Sequence, residues 1–169
     1  MKQSKKILIA NRGVIAIRAL RAARELGYSV ASVYSTIDRD QKHLKLSDEA
    51  ICIGPPETKD SYLNEAAIIS AAELLGADAI YPGFGFLAEN ASFAEKCRES
   101  GFKFIGPDPE VIAIMGDKIK AKELAKSLNI PVVPGYEGEI STENEAIKIV
   151  EEIGYPVIIK ASAGGGGRG

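Results

Sequence analysis

Histidine and cysteine are scarce in this 169-residue chain, with His43 alone and only Cys52 and Cys97 beside it. The cysteines lack CxxC spacing, so a zinc site gains no support, and one histidine gives little basis for a Ser-His-Asp or Cys-His catalytic pair. Two isolated cysteines fit a reducing cytosol, and a cytoplasmic protein is expected. An excess of one charge is also lacking. Lys+Arg total 21 against 23 Asp+Glu, for a net charge of -2, so bulk electrostatics supply no pull toward nucleic acid or an anionic membrane. Any anion binding must be local. Long apolar runs are missing too: behind the basic start Met1-Lys2-Gln3-Ser4-Lys5-Lys6, the stretch Ile7-Leu8-Ile9-Ala10 ends at Asn11-Arg12, too short for a signal core or a membrane span. No internal repeat occurs, and low complexity is confined to a terminal glycine run.

What the chain does hold suffices for a core. Hydrophobic residues make up 46% and charged ones 26%, enough for one globular domain and the beginning of a second. Strand-like runs at Lys6–Ala10, Val30–Tyr34, Ala50–Ile53, Ala79–Tyr81 and Lys103–Ile105 alternate with helix-like runs, which predicts an α/β fold with a mainly parallel sheet and flanking helices. The first helix is expected from about Gly13 to Leu26. Its core-facing stripe is Ile15, Ala16, Ala19, Leu20, Ala23 and Leu26, and Gly27 closes it. A second helix is expected from an N-cap at Asp60 or Ser61 to Leu75, and a third from near Asn90 to just before Gly101.

Beyond Ile105, Asp108-Pro109 sets an N-cap before a proline at the first helical position of a short helix reaching about Met115. Gly116-Asp117 interrupts it. A further helix from Lys118 to Leu128 gives way to Pro131-Val132-Val133-Pro134-Gly135, held extended because a residue before proline avoids the helical region. We read a first domain over residues 1–115 and, over 116–169, linker helices leading into an incomplete second domain. Thr142-Glu143-Asn144-Glu145 is a capping-box pattern for a helix to about Ile153. Gly154 then leads to a last strand, Pro156–Lys160.

That strand feeds directly into Ala163-Gly164-Gly165-Gly166-Gly167-Arg168-Gly169. Without Cβ atoms, successive backbone N–H groups can close around phosphate oxygens. Lys160 and Arg168 flank the run and add positive charge where a polyphosphate would lie. A Walker A loop is excluded, since Gly167-Arg168-Gly169 stands where Gly-Lys-Ser/Thr is required. Gly83-Phe84-Gly85-Phe86-Leu87-Ala88 fits a GxGxxA dinucleotide pattern, but Pro82 stiffens its entry and two phenylalanines alternate with the glycines. The plainer reading is a tight sheet-to-helix turn with Phe84 and Phe86 partly buried. Lys118 follows a glycine break at the start of a helix, where an anion is favoured. Asn11-Arg12-Gly13 occupies the first βα turn, a position where open α/β sheets bind ligands, or else Asn11 simply caps the next helix.

Taken in order, Ile9-Ala10-Asn11-Arg12-Gly13, Tyr81 to Asn90, Phe104-Ile105-Gly106-Pro107, Met115-Gly116-Asp117-Lys118 and Ile159 to Gly169 closely resemble the biotin carboxylase family. The resemblance covers the whole chain. It implies a Rossmann-like N-terminal domain followed by the start of an ATP-grasp lid domain. It further implies an enzyme in which MgATP phosphorylates bicarbonate and biotin on a carrier protein is then carboxylated, with a carboxyltransferase subunit as a further partner and a homodimer as the assembly. By that likeness Lys118 and Lys160 contact ATP, and Gly164, Gly165, Gly166 and Gly167, followed by Arg168, form the lid over the phosphates. A lid excludes water from a labile intermediate. Arg21 and Glu25 match positions near the dimer interface, or form an ordinary i,i+4 pair.

Two departures qualify the likeness. Val14 stands where the family has glutamate after Asn-Arg-Gly, which predicts a modest loss of local stability because a helix N-terminus favours an acid. The family's Mg²⁺ ligands, its bicarbonate- and biotin-site arginines and its catalytic glutamate all lie beyond the lid, so no catalytic or metal-binding residue is assignable here. These 169 residues alone are expected to be inactive. The alternatives are a folding and dimerisation module without its own ligand and, more remotely, an NAD-binding domain.

Overall fold

The computed structural model describes residues 5–132, 136 and 140–158. The chain forms two compact units, Met1–Ile112 and Ala113–Gly169. In the first, strands β1 (Lys6–Ile9), β2 (Ser29–Ser35), β3 (Glu49–Gly54), β4 (Ala79–Tyr81) and β5 (Lys103–Phe104) form one sheet in the order β3-β2-β1-β4-β5. All four pairings are parallel. The five expected strands are therefore present, with no end shifted by more than one residue.

Both faces of this sheet are covered, as a parallel sheet requires. Successive side chains of β1 point to opposite faces. Ile9 packs with Val30 against Ala16, Leu20 and Ala23 of α1 (Gly13–Glu25). Leu8 packs on the other side with Val33 and Ile80 against Ile68, Ala71 and Ala72 of α3 (Glu65–Leu74) and Phe93 and Cys97 of α4 (Ala91–Glu99). Of the predicted α1 stripe, Leu26 does not belong. It follows the last helical residue as C-cap, its backbone N–H donating to the Ala22 carbonyl, and its side chain is 75% exposed.

α3 also begins later than expected. Asp60 closes a 3₁₀ turn (Thr58–Asp60), and the Ser61 hydroxyl donates back to the Glu57 carbonyl at 2.8 Å, so neither is free to cap. Asn64 takes that role by accepting from Ala67 N–H. A short helix not foreseen from the sequence, α2 (Lys42–Leu46), covers part of β2 and buries His43. Asn90 caps α4 as expected, accepting from Phe93 N–H at 2.9 Å.

Helix α5 (Pro109–Gly116) opens with Val111 and Ile112 N–H donating to the Asp108 carbonyl. In the second unit, α6 (Lys118–Ser127) is capped by Asp117, whose carboxylate accepts from Ile119 and Lys120 N–H. α7 (Glu143–Ile153) is capped by Thr142, which accepts from Glu145 N–H, while the Glu145 carboxylate accepts from Ser141 N–H at 3.1 Å. The reciprocal half of the expected capping box thus lands one residue early. Residues 156–158 of the predicted last strand carry no ladder pairing, and the rest of that strand lies outside the described residues. A strand needs a neighbour, and the described part of the second unit contains none.

Candidate functional site

The strand order places β1, β2 and β3 to one side and β4 and β5 to the other, so the chain reverses its winding direction between β1 and β4. Ligand sites of open α/β sheets lie at the carboxyl edge of such a reversal. Here that edge carries Asn11-Arg12, directly after β1, and the 82–88 turn, directly after β4.

Asn11 is 1% exposed. Its amide donates to the carbonyls of Pro82 at 2.7 Å and Phe84 at 3.0 Å, and its carbonyl oxygen accepts from Arg12 N–H at 2.8 Å. It is therefore a tie between two βα turns and not a helix cap. The N-cap of α1 is Arg12, which offers no side-chain capping bond. The tie needs a glycine beneath it: a Cβ on Gly83, whose φ is +75°, would fall 2.6 Å from Ile15 Cγ2 and 2.9 Å from Asn11 Nδ2.

The same turn carries Phe86 at φ 45°, a conformation that costs a bulky residue energy and persists only where its surroundings hold it. Those surroundings are visible. The Phe86 ring stacks on Tyr62, centroids 5.0 Å apart and planes within 12°. The Arg12 guanidinium lies 5.3 Å from the Tyr62 centroid and 5.6 Å from that of Phe86. Phe84, expected to be partly buried, is 74% exposed. With Asn11 and Ile15 filling the space against Gly83, and with α4 starting only at Ala91, this turn is not the helix-opening loop that a dinucleotide pyrophosphate requires.

Behind Arg12 sits a buried carboxylate. Asp38 Oδ2 accepts from Ser35 Oγ at 2.7 Å, Tyr62 OH at 2.8 Å and Arg12 Nη1 at 3.3 Å, while Oδ1 accepts from Gln41 Nε2 at 3.0 Å. Burial pushes its pKa up, but the hydrogen bonds from Ser35, Tyr62 and Arg12, with the Arg12 charge, outweigh this and hold it below the ordinary value. Burial and the adjacent carboxylate raise the Tyr62 phenol. Neither group is poised to exchange protons near neutrality, so the cluster is built to hold geometry. Nearby, His43 is fully buried, and neither ring nitrogen makes a hydrogen bond of good geometry, although the Val33 carbonyl lies close enough to act on the ring. Desolvation lowers its pKa, with the Val33 carbonyl and the Asp38 charge opposing that.

Of the residues predicted to bind nucleotide, Lys118 is the first residue of α6 and is exposed. The first-turn amides of that helix are taken by Asp117, so an anion there would engage the ammonium and not the free helix end. Lys160, Gly164, Gly165, Gly166, Gly167 and Arg168 lie outside the described residues. Among the described residues no group of three or more acidic, histidine or cysteine side chains could hold a metal ion. No described helix is long and apolar enough to cross a membrane. Arg21 and Glu25 are exposed on α1 and form no ion pair with each other. Cys52 is exposed and free, whereas Cys97 is buried, its thiol pushed up to about 12 by desolvation and the Glu65 charge. The Asn11 tie and the Arg12–Asp38 pair were not legible beforehand. Only the position of Asn11-Arg12 after the first strand signalled them.

A doubly covered parallel sheet with a built turn at its switch point, followed by a second compact unit, defines a two-part protein whose first part is an open α/β fold. Comparison with known proteins gives it a family. Residues 3–112 match the model of the biotin carboxylase N-terminal domain, and residues 117–169 match that of the carbamoyl-phosphate synthase L chain ATP-binding domain. The chain belongs to the biotin carboxylase family. It is 56% identical over 165 residues to biotin carboxylase 1 of Bacillus subtilis, covering 98% of this chain and 37% of that protein. It is 57% identical over 165 residues to the biotin carboxylase of Pseudomonas aeruginosa, with 97% and 37% covered. Among solved structures, the biotin carboxylase–β,γ-ATP complex of Campylobacter jejuni superposes with a TM-score of 0.93 at 52% identity, covering 97% of this chain and 37% of that one. The biotin carboxylase domain dimer of Hydrogenobacter thermophilus 2-oxoglutarate carboxylase, in complex with MgADP, ADP and bicarbonate, gives 0.92 at 49% identity over 99% and 37%. The chain thus spans a little over a third of the length of these relatives.

Proposed function

We propose that this chain is the N-terminal portion of a biotin carboxylase, an ATP-dependent ligase in which bicarbonate is activated by MgATP and transferred to a ureido nitrogen of biotin on a carrier protein. The observation that carries the reading is near-complete coverage of the chain, at half identity or better, by the ATP-bound Campylobacter jejuni structure. In this reading residues 1–115 form the N-terminal domain and 116–169 begin the ATP-grasp domain. Lys118, Lys160 and Arg168 offset phosphate charge, and Gly164 to Gly167 close over the phosphates through backbone N–H groups. Mg²⁺, when bound, neutralises charge between the phosphates. By the family resemblance its ligands are assigned to the part of the enzyme beyond Gly169. The partners are the carrier protein, a carboxyltransferase subunit and a second copy. The exposed Arg21/Glu25 face of α1, without an internal ion pair, supports the last, as does the dimer formed by the Hydrogenobacter relative. The parent enzyme is read as the biotin carboxylase of a cytoplasmic carboxylase whose final acceptor is acetyl-CoA, pyruvate, propionyl-CoA or a related compound, with fatty acid biosynthesis as one destination.

Bicarbonate-dependent release of ADP tests it. The full-length enzyme carrying this chain is expected to release ADP only with bicarbonate present, and the 169 residues alone to release none. Turnover by the short chain would overturn the placement of catalysis downstream.

A further inference from the structure

The connection from β2 to β3, residues 36–48, is fastened at both ends by hydrogen bonds to the rest of the first unit. At its start Asp38 closes a 3₁₀ turn (Thr36–Asp38), and its carboxylate accepts from Ser35 Oγ, Tyr62 OH, Arg12 Nη1 and Gln41 Nε2. At its end the Ser47 hydroxyl lies 2.6 Å from that of Ser32, and the Asp48 carboxylate accepts from Val30 N–H at 2.8 Å and from Arg24 Nη2 at 2.6 Å. Between these anchors α2 keeps its backbone bonds to itself: Leu44 N–H donates to the Gln41 carbonyl, and Ser47 N–H to those of His43 and Leu44. Side-chain burial seats it on β2 and α1, through the His43 ring, 0% exposed, and the half-buried Leu44 and Leu46.

That seat accepts a neutral ring and not a charged one. Asp38 is the charged group that acts on the imidazole, but its four donors occupy it and none of them is His43. β2 offers the Val33 carbonyl, close to the ring but without good hydrogen-bond geometry, and Tyr34, half-buried, as its one titratable side chain. α1 turns Ala16, Leu20 and Ala23 inward and keeps Arg18, Arg21, Arg24 and Glu25 exposed, with Arg24 taken by Asp48. Arg39, Asp40, Lys42 and Lys45 of the connection itself are exposed. An imidazolium enclosed here would be a buried charge without a hydrogen-bonded counter-ion, a heavy cost beside the small one of lifting a five-residue helix.

We propose that the 36–48 connection is a proton-released strap: when His43 takes up a proton, α2 lifts from β2 and α1 and gives the imidazolium to water, while the Asp38 and Asp48 anchors and the sheet stay in place. The closed strap holds the ring's pKa below 6.5, so the open form binds the proton more readily and gains population as pH falls from 6.5 toward the lower closed value. The inference rests on the fold of the first unit and is independent of the carboxylase reading.

Peptide-resolved hydrogen exchange at pH 7.5 and 5.5, with each rate corrected for the intrinsic pH dependence of amide exchange, tests it. Protection of the 42–47 amides is expected to fall about fivefold at the lower pH while that of β1 and β4 stays within about twofold. His43→Leu is expected to abolish the difference, and His43→Gln, polar but without a titration in this range, is expected to do the same, so a poorly folding leucine variant does not block the test. Because His43 is the only histidine, the single imidazole Cε1–H resonance in NMR reads its protonation in the unsubstituted protein. That resonance is expected to titrate over the pH range in which the strap loses protection. A ring that titrates while the 42–47 amides keep their protection overturns the proposal. So does an equal loss in β1 and β4, which would be unfolding of the whole domain, or a pH dependence that persists in both variants.

Discussion

The side-chain amide of Asn11 donates to the main-chain carbonyl of Phe84 at 3.0 Å, and to that of Pro82 at 2.7 Å, joining the first and fourth βα turns across the point where the sheet reverses direction. Both acceptors face a residue that is 1% exposed. Removing the donor leaves the buried Pro82 carbonyl without its partner and the part-buried Phe84 carbonyl to solvent, so Asn11→Ala is expected to lower stability by about 2 kcal/mol. Asn11→Asp is expected to be worse, because a carboxylate would confront two carbonyl oxygens. Urea unfolding of the three proteins checks the order, and an Asp variant as stable as wild type would contradict the tie.

Asp38 makes an acid-limb prediction. Its pKa is held below the ordinary 3.8 in the folded protein, so the unfolded state binds a proton more readily as the solution is acidified. The stability gained is fully present above 3.8 and is lost as pH falls through the lower folded value. Asp38→Asn removes this dependence. The stability gap between wild type and Asp38→Asn is expected to be constant from pH 7 to about 5 and to narrow below 3.8. Denaturant midpoints measured from pH 2.5 to 7 would show it, and a gap that does not change with pH would count against the buried carboxylate.

What could be read in advance was local. The β1 run and the α1 stripe of Ala16, Leu20 and Ala23 follow from side-chain periodicity, and the caps at Asn90 and Thr142 follow from capping chemistry within a few residues. Where that logic failed, a competing local bond had won: Ser61 looks like a cap but gives its hydroxyl to Glu57. α2 is only five residues long, too short for a periodic signal to emerge. The switch-point cluster was illegible because its partners are far apart in sequence. Arg12 meets Asp38 across 26 residues, Asp38 meets Tyr62 across 24, and Asn11 reaches Phe84 across 73. No spacing rule links them, and only the folded sheet does.

Val14 is 70% exposed in the first turn of a helix that has no acidic residue there and no side-chain cap. An acid at this position costs no core packing and places a negative charge near unsatisfied N–H groups. Val14→Glu is expected to stabilise the chain by about 0.5 kcal/mol at low salt, the gain shrinking as ionic strength rises. Thermal unfolding at two salt concentrations measures this. A destabilised variant would mean that the Val14 side chain is covered by something other than solvent.

His43 is the only histidine, so a stability change confined to the imidazole range can be traced to one side chain. The ring is fully buried, neither nitrogen makes a hydrogen bond of good geometry, and desolvation lowers its pKa below 6.5 against the opposing Val33 carbonyl and Asp38 charge. In the unfolded chain the ring protonates as pH falls past 6.5, whereas the folded protein resists protonation until the lower value is reached. The unfolded state therefore binds more protons in that window, and stability falls as pH drops from 6.5 toward the folded pKa. Replacing the ring with an apolar side chain of similar size removes both the titration and the cost of burying two polar atoms without well-formed hydrogen bonds. His43→Leu is expected to match or exceed wild-type stability at pH 7.5 and to lead by a growing margin between pH 6.5 and 5. A variant that loses stability at pH 7.5 would show that the imidazole has a bonding partner in solution. One whose pH profile parallels that of the wild type would place the ring in contact with water.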